Sequence, residues 1–474
     1  MKAWCTNVVR ATLLGCAALP VFAAGLAAGP MAGHRDARSV ILWLQGDGKA
    51  SAQIEYWRAG AAPRAGAGSK SGAAPRARST PQPLGAQHDF AAHIELSNLT
   101  PGATYHYRVL LDGKEARLPQ PLSFATESLW QWRRHSFIAA QGHVAPDFKV
   151  AFGSCVYVND PPYDRSLNPA GAFGSGYEIF NSIAAQKPDV MLWLGDNHYL
   201  READYASPSG MAYRYRHDRA LPALQNLLRT GHHYATWDDH DYGPNDSNSS
   251  FIYKGEALKL FQRYWANGAY GLPETAGVFR VVSLNDADFF LLDNRTHRDS
   301  DKLQVSSQDA GKTMLGAAQL RWLKNALLAS TAHVKVIVSG GQMLKTTPQQ
   351  YEGWSNFPGE RAGFLDWLMA QRINGVLFLS GDRHHTVLTR QERAGTYPLY
   401  DFTCSPLTAG AFAPGKSEDM THTDADTVVG QRNFCSIDFS GAWNERKLTL
   451  KSFDAAGREL WKREINVKEL AGAR

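Results

Sequence analysis

The sequence predicts an α/β protein that begins with a small all-β domain, and two observations lead to this prediction. From residue 149 onward, short apolar segments rich in β-forming residues alternate with longer helical segments. This pattern is typical of strands buried in a sheet and of the helices that cover it. Between residues 39 and 126, by contrast, strand-like segments and turn residues follow one another with no helical pattern between them.

Length and composition are those of a folded globular chain. The 474 residues are 44% hydrophobic and 20% charged, which excludes wholesale disorder and fibrous repeats. The formal net charge of +5 is not gathered into a basic run, so no stable nucleic-acid partner is expected. After the N-terminus no apolar stretch reaches the ~20 residues that a membrane span needs. No feature of the sequence indicates a protein partner.

The N-terminus has the pattern of a secretory signal peptide. Lys2 and Arg10 precede an apolar run over residues 11–28, in which Val21-Phe22-Ala23 is typical of a cleavage site. We therefore predict a signal peptide over residues 1–28 and an exported protein, periplasmic or secreted. A lipoprotein anchored through Cys16 and an uncleaved anchor are the alternatives. The apolar stretch between Arg10 and Cys16 is shorter than the ~7–15 residues of an ordinary signal peptide.

The all-β domain is predicted over residues 39–126. After a Pro-Gly turn, Tyr105, Tyr107 and Val109 alternate onto one face of a strand. The phrase over residues 96–109 resembles the late strands of fibronectin type III-like domains. Residues 59–87 are rich in Ala, Gly, Pro and Arg and have almost no apolar side chains to bury, so we predict a disordered insertion there.

The α/β domain is predicted over residues 149–465, with an all-β hairpin near residues 433–453. Its predicted buried strands are residues 149–153, 190–194, 234–237, 289–292, 334–338 and 376–379. Its predicted helices are residues 177–186, 255–267, 317–329 and 360–371.

Three cysteines remain once the signal peptide is removed, namely Cys155, Cys404 and Cys435. Export permits disulfides, but an odd number leaves at least one thiol over. Cys404 and Cys435 lie in apolar, strand-like segments. They either pair with each other or are two small buried residues.

Chemically capable side chains follow five of the six predicted strands. They are found in Gly153-Ser154-Cys155, Gly195-Asp196-Asn197-His198-Tyr199, Trp237-Asp238-Asp239-His240-Asp241, Asp293-Asn294-Arg295 and Ser380-Gly381-Asp382-Arg383-His384-His385. Ligands of α/β proteins bind outside the carboxyl ends of the strands. One Asp at such a place is commonly a turn residue, but several would repel one another unless a cation lay among them. The mixture of carboxylates, imidazoles, thiol and phenol suits more than one kind of metal.

At these residues the sequence resembles the PhoD-like alkaline phosphatases, a family of the calcineurin-like metallophosphatase superfamily. The motifs are Gly195-Asp196-x-x-Tyr199, Trp237-Asp238-Asp239-His240 through Asn245, Leu292-Asp293-Asn294-Arg295 through Asp299, and Ser380-Gly381-Asp382-x-His384. They occur in the family's order between about residues 149 and 407. The resemblance implies a four-layer α-β-β-α sandwich of metallophosphatase type after the small β domain. The segment after His240 departs from the Glu-rich form of the motif, which leaves the identity of the second and third metals open. The G-N-H-E/D and G-H-x-H motifs of purple acid phosphatases are absent from the sequence.

The resemblance also implies six metal ligands: Cys155, Asp196, Tyr199, Asp238, Asn245 and Asp382. The thiolate, the phenolate and the shared carboxylate of Asp196 suit Fe³⁺, because a soft thiolate is a poor ligand for hard cations. The oxygen ligands of Asp238, Asn245 and Asp382 suit a harder cation such as Ca²⁺. No organic cofactor is expected.

Four further residues are predicted to take part in catalysis. His384 is either a ligand or a proton donor to the leaving oxygen, and His240 either donates a proton or orients a ligand. Arg295 and Arg298 are predicted to hold phosphate oxygens. For Arg298, a salt bridge to Asp299 or Asp301 is an open alternative.

The predicted function is therefore phosphoester hydrolysis by metal-activated hydroxide, with alkaline phosphatase and phosphodiesterase activity implied by the resemblance. One alternative is a phospholipase C- or D-like enzyme, which would need an apolar approach to the site, for instance through residues 251–270. The other is a secreted, non-catalytic binding protein built on a decayed metallophosphatase fold.

Overall fold

The computed structural model describes residues 25–60, 76–119, 121–130, 145–161, 166–167, 171–304, 311–346, 351–415, 418–442 and 445–472. In chain order, its strands are β1 Leu26–Arg35, β2 Val40–Gly46, β3 Ala50–Arg58, β4 Ala77–Arg78, β5 Gln82–Leu84, β6 Ala91–Leu96, β7 Thr104–Leu111, β8 Lys114–Glu115, β9 Leu122–Ala125, β10 Phe148–Gly153, β11 Ser166–Leu167, β12 Gly171–Ala172, β13 Val190–Leu194, β14 His232–Thr236, β15 Arg280–Leu284, β16 Ala287–Leu291, β17 Val334–Val338, β18 Val376–Ser380, β19 Val387–Gln391, β20 Leu399–Thr403, β21 Asn433–Ser440, β22 Lys447–Asp454 and β23 Glu459–Asn466. The helices are α1 Ile179–Ala185, α2 Pro208–Arg219, α3 Gln225–Leu228, α4 Asp239–Tyr242, α5 Lys254–Tyr264, α6 Ala317–Ala329 and α7 Pro358–Ala370.

Two large sheets form the centre of the molecule. The first has the strand order β23-β22-β21-β10-β13-β14-β1-β2-β6, and the second has the order β15-β16-β17-β18-β20-β19. Strands β10, β13 and β14 are mutually parallel, as are β16, β17, β18 and β20. Because parallel strands end on the same side, each sheet presents a row of carboxyl ends.

Side-chain alternation along the strands separates the layers of the α/β domain. In β13, Leu192 and Leu194 join the core between the two sheets, whereas Met191 and Trp193 face the layer that contains α1, α2, α3 and α5. Helices α6 and α7 add Leu323 and other apolar side chains to the far side of the second sheet. The layers thus run helix, sheet, sheet, helix. Among the described helices, none has the length and apolar character to cross a lipid bilayer.

The N-terminal strands are shared between two sheets. A third sheet has the order β4-β3-β7-β8, with β5 paired to β3 and β9 paired to β7. It packs through side chains such as Ile54 and Tyr107 on Leu42 and other residues of β1, β2 and β6. Those three strands continue the nine-stranded sheet, since β1 pairs with β14 at Ala32 and His232. The fibronectin type III-like identity of this region stays a prediction.

Residues 26–28, the last three residues of the predicted signal peptide, belong to β1 in the structure. Strand β1 is antiparallel to β2 and contributes the buried Ala28 and Met31 to the core. Its small residues resemble a signal segment but serve close packing instead: a Cβ at Gly33 would lie 2.3 Å from Ala266. The predicted cleavage site at Val21-Phe22-Ala23 and the lipoprotein residue Cys16 lie outside the described residues.

The predicted disordered insertion over residues 59–87 is wrong for its C-terminal part. Residues 76–87 are described and contain β4 and β5, both paired with β3. Leu84 is buried, and Arg76 and Arg78 form ion pairs with the buried Glu55. Backbone pairing and these ion pairs order a segment whose composition offers little apolar burial. Residues 61–75 lie outside the described residues.

The predicted elements of the α/β domain are present, and Cys404 and Cys435 form a disulfide with a Cα–Cα distance of 6.2 Å. This bond joins the end of β20 in the second sheet to β21 in the first. Helix α2 has no helical pattern of apolar residues in the sequence, because its buried face includes Arg214, Asp218 and Arg219. Ion pairs of Arg214 with Asp204 and Asp218 replace the usual apolar stripe.

Candidate metal centre

The site lies where the carboxyl ends of the two sheets meet. Cys155, Asp196, Asp238 and Asp382 each stand two residues after the last residue of a strand, namely β10, β13, β14 and β18. The in-register pairing of β10, β13 and β14 brings the first three together. This repeated spacing gathers predicted ligands that are far apart in the sequence at one edge of the fold.

Cys155, Asp196 and Tyr199 converge, as the sequence predicted. The Cys155 Sγ lies 3.5 Å from Asp196 Oδ2, and the Tyr199 hydroxyl donates to the same oxygen at 3.3 Å. All three residues are at most 2% exposed. A thiol, a phenol and a carboxylate therefore surround one buried point.

The backbone at these positions is held in an unusual conformation. Cys155, Asp196, Asp382 and His384 have φ values of 61°, 49°, 69° and 55°. For residues other than glycine, this left-handed region costs on the order of 1–3 kcal/mol each, and such strain concentrates at functional sites. The turns aim the side chains away from the strands and toward one another. Gly340 permits the close approach, since a Cβ there would lie 2.4 Å from Asp238 Cγ.

The carboxylates of Asp238 and Asp382 each keep an oxygen available. Asp238 Oδ1 accepts hydrogen bonds from Asn294 Nδ2 at 2.8 Å and from Arg295 Nε at 2.6 Å. Within the described residues, Asp238 Oδ2 and Asp382 Oδ2 accept none, although both atoms are buried. Buried carboxylate oxygens without a donor are costly unless they bind a cation. The donor set thus fits metal ions.

The pKa values of these side chains also indicate a site for metal ions. Burial and the neighbouring carboxyl groups, first of all that of Asp239, raise the pKa of Asp196 well above its usual range. Burial raises the pKa of Asp238 to about 7, although Arg295 lowers it. Burial also raises the pKa values of the Cys155 thiol and the Tyr199 phenol, with Asp196 adding to both. Since metal ligands must be deprotonated, bound cations would replace these protons.

A second group of possible ligands adjoins the first. Ligand atoms of Asp196, Asp239 and His240 lie within 4.8 Å of one another, and so do those of Asp239, Asp246 and Glu352. Asp246 and Glu352 were not anticipated as ligands. Asp246 follows the predicted ligand Asn245, so its motif gave a signal, but no sequence pattern marks Glu352. Asn245 itself is exposed and lines a cleft of about 510 Å³ with Asp246, Glu352 and Asp382.

Both predicted catalytic histidines lie at the site. His384 Nε2 is 3.0 Å from the Tyr199 hydroxyl. The His240 backbone N–H donates to Asp196 Oδ1 at 3.3 Å, and its ring stacks on Tyr199 at 4.2 Å between centroids. His385 is 2% exposed and lies 3.8 Å from Glu418. The carboxylate beside it does not belong to either ligand group.

Arg295 and Arg298 lie behind the ligands rather than on the cleft wall. Arg295 is fully buried and binds Glu352 through two nitrogens, at 2.8 and 2.7 Å, as well as Asp238. Arg298 is also buried, and it binds Asp301 at 2.8 Å and Glu352 at 3.3 Å. Despite burial, the two guanidinium groups lower the pKa of Glu352 to about 2. The alternative of a salt bridge from Arg298 to Asp301 is therefore realised.

Comparison with known proteins places these residues in a family context. A family model described as PhoD-like phosphatase matches residues 163–447. Alkaline phosphatase D of Bacillus subtilis (strain 168) is 25% identical over 346 residues, which cover 62% of this chain and 53% of that protein. The chain thus spans about half the length of this curated relative.

Solved structures show the same fold. A structure of PhoD matches with a TM-score of 0.68 and 17% identity, covering 92% of this chain and 91% of that one. Purple acid phosphatase PPD1 from yellow lupin matches with a TM-score of 0.61 and 12% identity, covering 92% and 74%. At these identities the likeness concerns the fold, which is mixed α/β and of metallophosphatase type.

Proposed function

The chain belongs to the PhoD-like phosphatase family, and from this premise we propose that it is an exported hydrolase of phosphomonoesters and phosphodiesters that uses Fe³⁺ and Ca²⁺. The metals would be held by side chains from two adjoining groups. Cys155, Asp196 and Tyr199 suit Fe³⁺, and Asp238, Asn245 and Asp382 suit Ca²⁺. Asp239, Asp246 and Glu352 are further candidates for the second group.

The observation that carries this proposal is the convergence of Cys155 and Tyr199 on Asp196. A hydroxyl and a thiol at 3.3 and 3.5 Å from one buried carboxylate oxygen are a suitable donor set for a metal that accepts both soft and hard ligands. Asp238 and Asp382, each with one buried oxygen lacking a donor among the described residues, extend the set toward a second cation.

When bound, metal ions would lower the pKa of water and offset negative charge on the phosphoryl group. The chain's own residues would orient the reactants. His384, whose Nε2 lies 3.0 Å from the Tyr199 hydroxyl, would protonate the leaving oxygen. The His240 backbone fixes the Asp196 carboxylate, and the Tyr199 ring packs against the His240 imidazole. No covalent enzyme intermediate is required.

The proposal can be tested with one preparation of purified protein. Metal content is measured by elemental analysis, and hydrolysis is measured with p-nitrophenyl phosphate, bis-p-nitrophenyl phosphate and phosphatidylcholine. Iron with calcium and turnover of the nitrophenyl esters would support the proposal. Turnover of phosphatidylcholine above both would favour a phospholipase, and metal binding without any turnover would favour a binding protein.

The apolar approach suggested for a phospholipase does not find support in residues 251–270. Phe261, Tyr264 and Trp265 are buried, and they pack in the core between α5 and the nine-stranded sheet. Ile252 is 79% exposed but stands alone in this stretch as a large exposed hydrophobic side chain among the described residues. The phosphoesterase proposal is therefore preferred.

A further inference from the structure

The two arginines expected to bind phosphate have few or no N–H groups left for a substrate. A guanidinium group has five N–H donors. In Arg295 all five have acceptors: Asp238 takes two, Glu352 takes two, and the Ser247 carbonyl takes one at 3.1 Å. Arg298 is 1% exposed and directs its Nε and Nη2 to Asp301. Both side chains organise carboxylates rather than face the cleft.

A different arginine lies on the wall of the cleft. Arg383 follows the predicted ligand Asp382 and lines the cleft of about 510 Å³ together with Tyr351, Glu352 and Asn245. Its Nη2 donates to Glu418 Oε1 at 2.9 Å, and its Nη1 lies 3.9 Å from Asp382 Oδ2. Its Nε is buried and has no hydrogen-bond acceptor among the described residues. Within the described residues, the Nε–H of this guanidinium group is thus left without an acceptor, although the side chain is only 9% exposed.

Neighbouring side chains hold the guanidinium group of Arg383 in place. The guanidinium carbon lies 3.7 Å from the centroid of the Tyr351 ring. Stacking on an aromatic face fixes the plane of the guanidinium group. Glu418 anchors one edge and is itself held by the Gly415 N–H at 3.2 Å and by Lys345 at 3.7 Å. Because Arg383 lines the cleft, a ligand bound there would lie next to this anchored guanidinium group.

We propose that Arg383, oriented by Glu418 and Tyr351, binds the non-bridging oxygens of the substrate phosphoryl group. This inference rests on the proposed function and names the residue that sets substrate affinity at the same site. A planar fork next to a metal ligand matches a phosphate through two parallel hydrogen bonds. Glu418 and Tyr351 are positioning residues, since they act through Arg383.

The test compares Arg383→Gln with Arg390→Gln, whose arginine is 48% exposed on β19 and pairs with Glu392. Both variants are loaded with metal, and their metal content is measured first. We expect Arg383→Gln to raise the KM for p-nitrophenyl phosphate and the inhibition constant of inorganic phosphate by at least ~10-fold, because hydrogen bonds to charged groups contribute about 1.5–3 kcal/mol. Arg390→Gln should change neither constant.

Two additional variants separate binding from folding. Arg383→Lys keeps the charge but loses the fork, and should give a smaller rise in KM than Arg383→Gln if the fork is what binds. Tyr351→Ala removes the ring on which Arg383 stacks and should raise KM by less than Arg383→Gln does. Unchanged constants for both Arg383 variants at wild-type metal content would overturn the inference.

The proposed function and this inference fail in different ways. If the metal-loaded wild type hydrolyses none of the esters, the proposed function fails, and calorimetric titration with inorganic phosphate still tests Arg383. If the wild type hydrolyses esters but Arg383→Gln binds phosphate with wild-type affinity, the inference alone is wrong.

Discussion

The Cys155 thiol lies 3.5 Å from the Asp196 carboxylate, although 41 positions separate the two residues in the sequence. The contact exists because β10 and β13 are adjacent parallel strands and each residue stands two positions after its strand. A left-handed turn at each position then directs the two side chains toward each other. This pair defines the part of the site where a soft and a hard ligand meet.

Iron at this pair should colour the protein. Phenolate and thiolate bound to Fe³⁺ absorb visible light, so we expect a visible absorption band in protein produced aerobically with iron. Tyr199→Phe should shift or bleach the band, and Cys155→Ser should alter it separately. EGTA should abolish activity yet leave most of the colour, because it removes Ca²⁺ from Asp238, Asn245 and Asp382 and leaves the iron in place. An active, colourless protein holding only zinc, magnesium or manganese would contradict the iron assignment.

Asp196→Asn should separate activity from stability. The carboxylate is buried next to other carboxyl groups, and its pKa is raised by burial and by their charges. We expect the loss of at least ~100-fold in kcat, together with a higher Tm than wild type for the metal-free proteins, because Asn cannot ionise and so avoids a charge that burial and the neighbouring carboxyl groups disfavour. Asp366→Asn, in an exposed position on α7, serves as the control. A folded Asp196→Asn protein that keeps more than a tenth of wild-type kcat would refute the assignment.

His233 should make the fold sensitive to acid. Its Nδ1 accepts a hydrogen bond from Trp193 Nε1 at 3.1 Å, and its Nε2 lies 3.1 Å from the Leu227 carbonyl oxygen. Burial, and then Arg219, lower its pKa from 6.5 to about 3. The folded state therefore binds this proton at a lower pH than the unfolded state does. The stabilisation is complete above about pH 6.5 and is lost as the pH falls toward 3.

The slope attributable to His233 is at most ~1.4 kcal/mol per pH unit. His233→Gln can accept from Trp193 and donate to Leu227 without titrating, so it should flatten the dependence of unfolding free energy on pH. Urea unfolding of both proteins between pH 4 and 7 checks this. Equal slopes for the two proteins would show that His233 does not contribute.

Leu84→Ala should destabilise the protein even though Leu84 lies in a segment with the composition of a disordered one. Leu84 is 1% exposed and packs in the core of the N-terminal sheets. Deleting such a side chain costs about 2–5 kcal/mol, measured by chemical denaturation. The exposed Gln87 is the control, and Gln87→Ala should change stability by less than ~0.5 kcal/mol. A neutral Leu84→Ala would mean that β5 contributes little to the core.

Removing the disulfide should lower the stability of the protein. Cys404 and Cys435 are 31 positions apart, and closing a loop of that length contributes about 3–4 kcal/mol in the chain-entropy treatment. The double variant Cys404→Ala with Cys435→Ala should show a correspondingly lower Tm, and a reducing agent should lower the Tm of wild type but not of the variant. If the reducing agent lowers the Tm of both proteins equally, the decrease does not come from this disulfide.

Part of the site could be predicted from the sequence because its chemistry is local. Cys155, Asp196, Asp238 and Asp382 each follow an apolar strand, and strand ends are where α/β proteins bind ligands. Periodicity alone also gave the exact bounds of β13, β17 and α6. In these cases the information needed to place a residue lies within a few positions of it.

Other features were decided only by tertiary structure. Glu352 stands in no motif, and it reaches the site because Arg295 and Arg298 bind it across the fold. The same contacts turn the two arginines away from the cleft, while Tyr351 and Glu418 hold Arg383 on its wall. The pairing of β1 with β14 likewise joins strands that are about 200 positions apart in the chain. The sequence does not distinguish an arginine surrounded by carboxylates from one exposed to solvent. The role of an arginine therefore depends on which residues, distant in the sequence, accept hydrogen bonds from its guanidinium group.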